Sequence, residues 1–134
     1  AWTDDPLAQK YGLSGPPEPQ EQAAREALQA QAHCGALPKT MLPMMVDAQR
    51  FRDMMLAYAA MTMLRTTGGP VVVITGNGHA RTDWGVPAIL RTARPDLQVF
   101  AYGQLEVEPE GLPPYDAWRL TDPVERDDPC AVFR

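Results

Sequence analysis

Basic residues are scarce in this chain. Its 134 residues hold 12 Lys and Arg against 17 Asp and Glu, a net charge of -5. The only lysines are Lys10 and Lys39, and the arginines are scattered. A nucleic-acid surface needs a cationic stripe that displaces counterions from phosphate. A polybasic membrane anchor needs one too. Both are excluded, so no nucleic acid is expected as a partner. Long apolar runs are also missing. The longest mainly apolar run, Met54 to Leu64, has 11 residues, where a transmembrane helix needs about 20. The chain opens on Ala1-Trp2-Thr3-Asp4-Asp5, without the apolar segment of a secretory signal. Cysteine is limited to Cys34 and Cys130, with no Cys-x-x-Cys pair. That removes a zinc knuckle, a thioredoxin-type motif and covalent c-type haem attachment. Histidine is limited to His33 and His79, few for a zinc site that wants three or four ligands.

What is present amounts to one domain, 45% hydrophobic and 22% charged. Such a chain buries about two thirds of its unfolded surface, enough for a core. The 14 prolines cluster, with four from Pro6 to Pro19 and five from Pro109 to Pro129. An irregular arm over 1–17, an ordered core over 18–104 and a proline-rich tail over 105–134 are therefore expected.

Within the core, Glu18 to Gln31 has helical spacing of Ala23, Ala24, Ala27 and Leu28, with Gly35 placed to end it. A longer helix is predicted from about Met41 to Arg65, with Pro43 in its first turn and Gly68-Gly69 at its stop. Met44, Ala48, Phe51, Met55, Tyr58 and Thr62 recur at steps of four and three, which predicts one buried stripe. All seven methionines fall in this helix. They read either as soft core filling or as a wall for a large flat ligand. Gln49, Arg52 and Asp53 stand at i, i+3 and i+4 and share one face, either a solvated patch or a polar site lining.

Val71-Val72-Val73-Ile74-Thr75 is a continuous run dominated by β-branched residues, bounded by Gly69-Pro70 and Gly76. It predicts a parallel strand buried on both faces. A short helix over Val86 to Thr92 and a strand over Leu97 to Tyr102 complete a βαβ unit, and Ala117 to Thr121 is a weaker strand candidate. The expected fold class is α/β, a mostly parallel sheet with flanking helices, forming part of a larger domain. Gly76-Asn77-Gly78-His79-Ala80-Arg81 follows the first strand directly. Ligands collect at the carboxyl ends of strands in such sheets. The two glycines are read as giving a sharp turn and close approach to a ligand. The turn presents His79, with Asn77 and Arg81 beside it. Arg81 stands where a dinucleotide fingerprint wants a third glycine, no Walker lysine follows, and Asn77 replaces the serine of a nucleophile elbow.

These residues, with His33-Cys34-Gly35, Leu37-Pro38, Met45, Ala48-Gln49, Arg52-Asp53, Gly85-Val86-Pro87 and the Asp116 to Phe133 end, resemble the ChaN-like haem-binding uptake proteins, also called iron-regulated lipoproteins. The similarity runs roughly from Glu21 to Phe133. It implies the Tiki and erythromycin-esterase-like superfamily, haem as cofactor and bacterial iron acquisition as function. It also implies a cell-envelope location, either periplasmic or tethered by a lipid outside this chain. Superfamily relatives carry a Gly-x-x-His motif in each half of the domain. Gly76 to His79 matches the second and no first is found, so the chain is expected to be the C-terminal portion. Completion by the N-terminal half or by a second copy follows as an expectation, through the underserved strand at Val71. The ligand-binding residues expected are Asn77, His79, Arg81, Gln49, Arg52, Asp53, His33 and Tyr58, with His79 the metal ligand. Tyr11, Tyr102 and Tyr115 are further haem-ligand types. The alternative is a metal-dependent hydrolase of the Tiki or esterase type, with a divalent metal and His79 as ligand or base. An exported protein meets an oxidising space. There Cys34 and Cys130 are expected to form a disulfide, the alternative being two separate buried thiols.

Overall fold

The computed structural model describes residues 2–133, in two compact units. One is built from the chain up to Ser14 together with Arg52–Val124, the other from Gly15–Phe51 together with the residues from Glu125 on. Helix α1 is Pro6–Lys10, α2 Pro19–Ala32, α3 Leu42–Thr67 and α4 Val86–Ala93. Strands β1, Tyr102–Leu105, and β2, Ala117–Leu120, pair in parallel with Tyr102 opposite Ala117. The class is mixed α/β. No helix among the described residues is long and apolar enough to cross a membrane.

Local chemistry explains the helix ends. Asp5 accepts the Leu7 N–H at 2.7 Å to cap α1, and Pro6 stands at its first position, where no N–H is needed. Helix α3 starts after the single turn Lys39–Met41 and stops at Gly68. The Gly68 φ of 78° is open to glycine at no steric cost, and its N–H caps the Leu64 carbonyl at 2.9 Å.

In the first unit, Ala8, Tyr11 and Leu13 pack with Met54, Ala57 and Met61 of α3 and with Val86 and Ile89 of α4. The 1–17 segment expected to be irregular therefore carries a helix and part of a core. In the second unit Arg50 is buried and donates to the Gly15 carbonyl and to Asp47 Oδ1. Cys34 and Cys130 of that unit are joined, with Cα atoms 5.5 Å apart.

Three expectations need correction. The stripe Met44, Ala48, Phe51, Met55 and Tyr58 is exposed rather than buried. The buried face of α3 is instead Leu42, Val46, Arg50, Asp53, Met54, Ala57 and Met61. Its two charged members hide it from a hydrophobic reading. Val71–Thr75 forms no ladder: Val72 is 82% and Ile74 94% exposed. A strand exists only with a partner for its N–H and C=O groups, and this segment pairs with no other described strand. The expected βαβ unit is therefore not confirmed: among the described residues the sheet consists of β1 and β2.

The second expected strand begins at Tyr102, where it was predicted to end. Side chains occupy the preceding backbone: Arg91 donates to the Val99 carbonyl at 3.0 Å, and Ala101 N–H donates to Asp116 Oδ2 at 2.6 Å. Arg91 also bonds Asp116 at 2.7 Å, so one α4 residue locks the entry to both strands.

Candidate functional site

The segment after Thr75 folds back in two short loops. His79 N–H donates to the Gly76 carbonyl at 2.9 Å and Ala80 N–H to that of Asn77 at 3.1 Å. Gly85 N–H then donates to the Arg81 carbonyl at 3.1 Å, and Val86 N–H to that of His79 at 2.8 Å. The His79 carbonyl thus satisfies a donor of the first turn of α4 that has no partner within the helix. Asn77 is tied to the sheet: its side-chain amide donates to the Gln104 carbonyl, and Tyr115 Oη donates to the Asn77 carbonyl at 3.2 Å.

The close backbone approach occurs at Gly85, where an added Cβ would lie 2.4 Å from the His79 carbonyl oxygen. At Gly76 and Gly78 an added Cβ would meet nothing within 4 Å, and neither has left-handed backbone. The glycine on which the turn depends is therefore outside the motif that drew attention to it.

His79 reaches α3. Its Nδ1 lies 2.6 Å from Asp53 Oδ1, and the Asp53 side chain is only 3% exposed. Burying a carboxylate is costly unless it is hydrogen-bonded, and His79 provides such a partner. His79 also lines a cavity of about 430 Å³. Met61 and Leu64 of α3, Val86 and Leu90 of α4, and the segments Pro70–Val73 and Leu97–Tyr102 form its other walls. With Nδ1 engaged, Nε2 is the ring nitrogen left for a ligand.

The expected site residues divide accordingly. Asp53 and His79 are brought into contact, with Asn77 and Arg81 on the same turn. Arg81 is occupied in a double hydrogen bond to Asp83, at 2.9 and 2.6 Å, and lies 3.8 Å from the Trp84 ring centroid. Arg52 and Tyr58 are exposed on α3 and do not line the cavity. His33 and Gln49 belong to the other unit, where His33 Nδ1 lies 2.8 Å from the Gln29 carbonyl. Of the tyrosines, Tyr102 lines the cavity, whereas Tyr11 is in the core and burial raises its pKa. Burial raises the Tyr115 pKa as well.

Tyr102 and Gly85 are the residues that the sequence reading undervalued. The signal for Tyr102 was its place at the carboxyl end of a predicted strand neighbouring the His79 strand.

Among the described residues, no three His, Cys, Asp or Glu side chains converge as a metal-binding group. The described lining of the cavity includes no Lys or Arg. No curated protein and no solved structure matches the chain. A family model described as haem-binding uptake, Tiki superfamily, ChaN matches residues 1–90. The match takes in α1, α2, α3 and the His79 turn and ends within α4, so the similarity read at the C-terminal end lies outside it. The chain belongs to the ChaN family of haem-binding uptake proteins in the Tiki superfamily.

Proposed function

We propose that this chain binds haem for iron uptake at the bacterial cell envelope, with His79 Nε2 as the iron ligand. The observation that carries the reading is the His79 ring. Its Nδ1 is held by buried Asp53, and His79, which lies inside the stretch matched by the family, lines a mainly apolar cavity whose 97–102 wall lies outside that stretch. The cavity volume falls in the range of small-molecule sites, about 300–1,000 Å³. When bound, haem supplies an iron that takes an axial ligand from the protein. Met61, Leu64, Val86 and Leu90 would hold the ring system and exclude water, while Tyr102 is a second ligand type at the same cavity. Adding hemin to the purified chain is expected to give a Soret band shifted from free hemin, and His79→Ala is expected to weaken binding at least tenfold. A free-hemin spectrum throughout the wild-type titration would refute the reading.

The hydrolase alternative draws on the same Asp53–His79 contact, which resembles an oriented general base. A protein-held zinc site wants three or four ligands, and the Asp53–His79 pair offers two. Elemental analysis of the purified chain tests it, with stoichiometric zinc or manganese favouring the hydrolase.

The reading also includes a partner. Val72, Ile74 and Phe100, the last 72% exposed, leave apolar side chains open on the segments flanking the cavity. Uncovered strand-forming segments recruit other chains. The N-terminal half of the domain or a second copy is the proposed cover, and a lipid tether outside this chain is the proposed anchor. A monodisperse monomer in light scattering would argue against the second copy.

A further inference from the structure

We propose that Met41, Met44 and Met45, where the chain enters α3, form a binding site for a soft monovalent metal ion, Cu(I). All seven methionines lie between positions 41 and 63, and they divide by burial. Met54 and Met61 are core residues, while Met55 and Met63 are exposed but eight positions apart. Only positions 41, 44 and 45 place three thioethers within five residues. Met44 is 59% exposed, Met41 is exposed and Met45 is half-buried. Core filling does not account for them, because Leu42 and Val46 form the buried side of this turn.

The backbone brings the three together. Met41 closes the single turn Lys39–Met41, and its N–H donates to the Pro38 carbonyl at 2.9 Å. Leu42, with φ -60° and ψ -42°, carries the helical conformation directly into α3. Positions 41, 44 and 45 are therefore related as i, i+3 and i+4, neighbours on one helix face. The next residue on that face is Ala48, which is exposed and bears only a methyl group. Methionine is unbranched with three rotatable bonds, so each side chain can turn its sulfur toward a common ion while the backbone stays in place. A thioether is a neutral, polarisable donor with no proton to lose. Thioethers select soft ions such as Cu(I), whereas hard divalent ions take oxygen donors. The partial positive charge at a helix N-terminus opposes any cation in proportion to its charge, which favours a monovalent ion further. Thiolates do not compete, since Cys34 and Cys130 are joined. The three methionines lie in the Gly15–Phe51 part of the second unit, outside the unit that contains His79.

Two measurements on the full chain test the proposal. In the first, the ¹³C-labelled methionine ε-methyl resonances are followed as Cu(I), kept reduced by ascorbate without oxygen, is added. The signals of Met41, Met44 and Met45 are expected to shift together and to saturate at one equivalent. Met55 and Met63, exposed but isolated, are internal controls and should stay in place. No shift at the three, or an equal shift at Met55 and Met63, overturns the proposal. Zn(II) in place of Cu(I) should leave the three methyls unmoved, and an equal response to Zn(II) overturns the choice of a soft ion. In the second, a chromophoric Cu(I) chelator competes for the ion with wild type, Met44→Leu and Met63→Leu. Leucine keeps a similar apolar volume and removes the sulfur. Met44→Leu is expected to lose tenfold or more in Cu(I) affinity and Met63→Leu to lose none. Equal affinities for wild type and Met44→Leu overturn the proposal. Neither readout involves hemin, so the haem reading stands or falls separately.

Discussion

Replacing Gly85 by alanine isolates the step from backbone packing to the site. The Gly85 φ of -82° and ψ of -163° describe extended backbone that alanine adopts freely, so the penalty is steric. The new Cβ would meet the His79 carbonyl oxygen at 2.4 Å, the Arg81 carbonyl oxygen at 2.8 Å and the His79 carbonyl carbon at 2.9 Å. An ordinary carbon–oxygen contact is about 3.3 Å, so the His79 carbonyl must retreat by roughly 0.9 Å. All three neighbours are backbone and cannot rotate away. Overpacking of this kind costs about 1–3 kcal/mol. The retreat also weakens the 2.8 Å bond from buried Val86 N–H, and an unsatisfied buried donor costs about 1–3 kcal/mol more. The expected loss is about 2–6 kcal/mol out of a typical total of about 5–15. In urea that is a midpoint shift of roughly 1–3 M. Because the displaced carbonyl belongs to His79, hemin affinity should fall with stability. Gly78→Ala is the control: with open space and no left-handed backbone there, the change should stay within about 0.5 kcal/mol. Equal midpoints for Gly85→Ala and wild type, or equal losses for the two variants, would refute the reasoning.

Asp116→Ala should cost about 1–3 kcal/mol by leaving buried Ala101 N–H without its acceptor; urea unfolding measures it, and an unchanged midpoint counts against the Arg91–Asp116 lock. Alkylation of the denatured, unreduced chain should find no free thiols. Cys34→Ser should lower stability by up to about 4–5 kcal/mol on the chain-entropy model, because the cross-link spans 96 positions. Burial raises the Tyr11 and Tyr115 pKa values above the ordinary 10.0. Below pH 10 both are protonated in the folded and unfolded chain and give no pH dependence. Above it the unfolded chain loses its protons first, so stability should fall as pH rises through the folded-state values. Tyr11→Phe should blunt that alkaline loss in melts recorded from pH 9 to 11.5, and an unaltered alkaline slope would remove Tyr11 as its source.

Local chemistry explains why the helices were legible. Glu18 to Gln31 was predicted where α2 runs over Pro19–Ala32, and Val86 to Thr92 where α4 runs over Val86–Ala93. Proline at a first turn and glycine past a last turn act within a few residues of themselves. The buried side of α3 was not legible in the same way. Its apolar residues lie on more than one side, and periodicity alone ranks the cleaner stripe first. The buried face contains Arg50 and Asp53, whose partners at Gly15 and His79 lie 35 and 26 positions away in sequence. Without those partners in view, the two residues look like reasons to leave the face in solvent.

The strands show the same division. Val71 to Ile74 has the composition of a buried strand, but a ladder needs a second backbone, and the described chain supplies none there. Composition states what a segment is suited to do; pairing depends on what lies beside it. At the site, sequence alone singled out His79 by its glycine turn and the family by the order of its motifs. Tertiary structure decided that His79 meets Asp53, that Arg81 turns to Asp83 and Trp84, and that Gly85 admits the turn. A hydrogen bond between residues 26 positions apart is a fact about distance in space, which spacing along the chain does not contain.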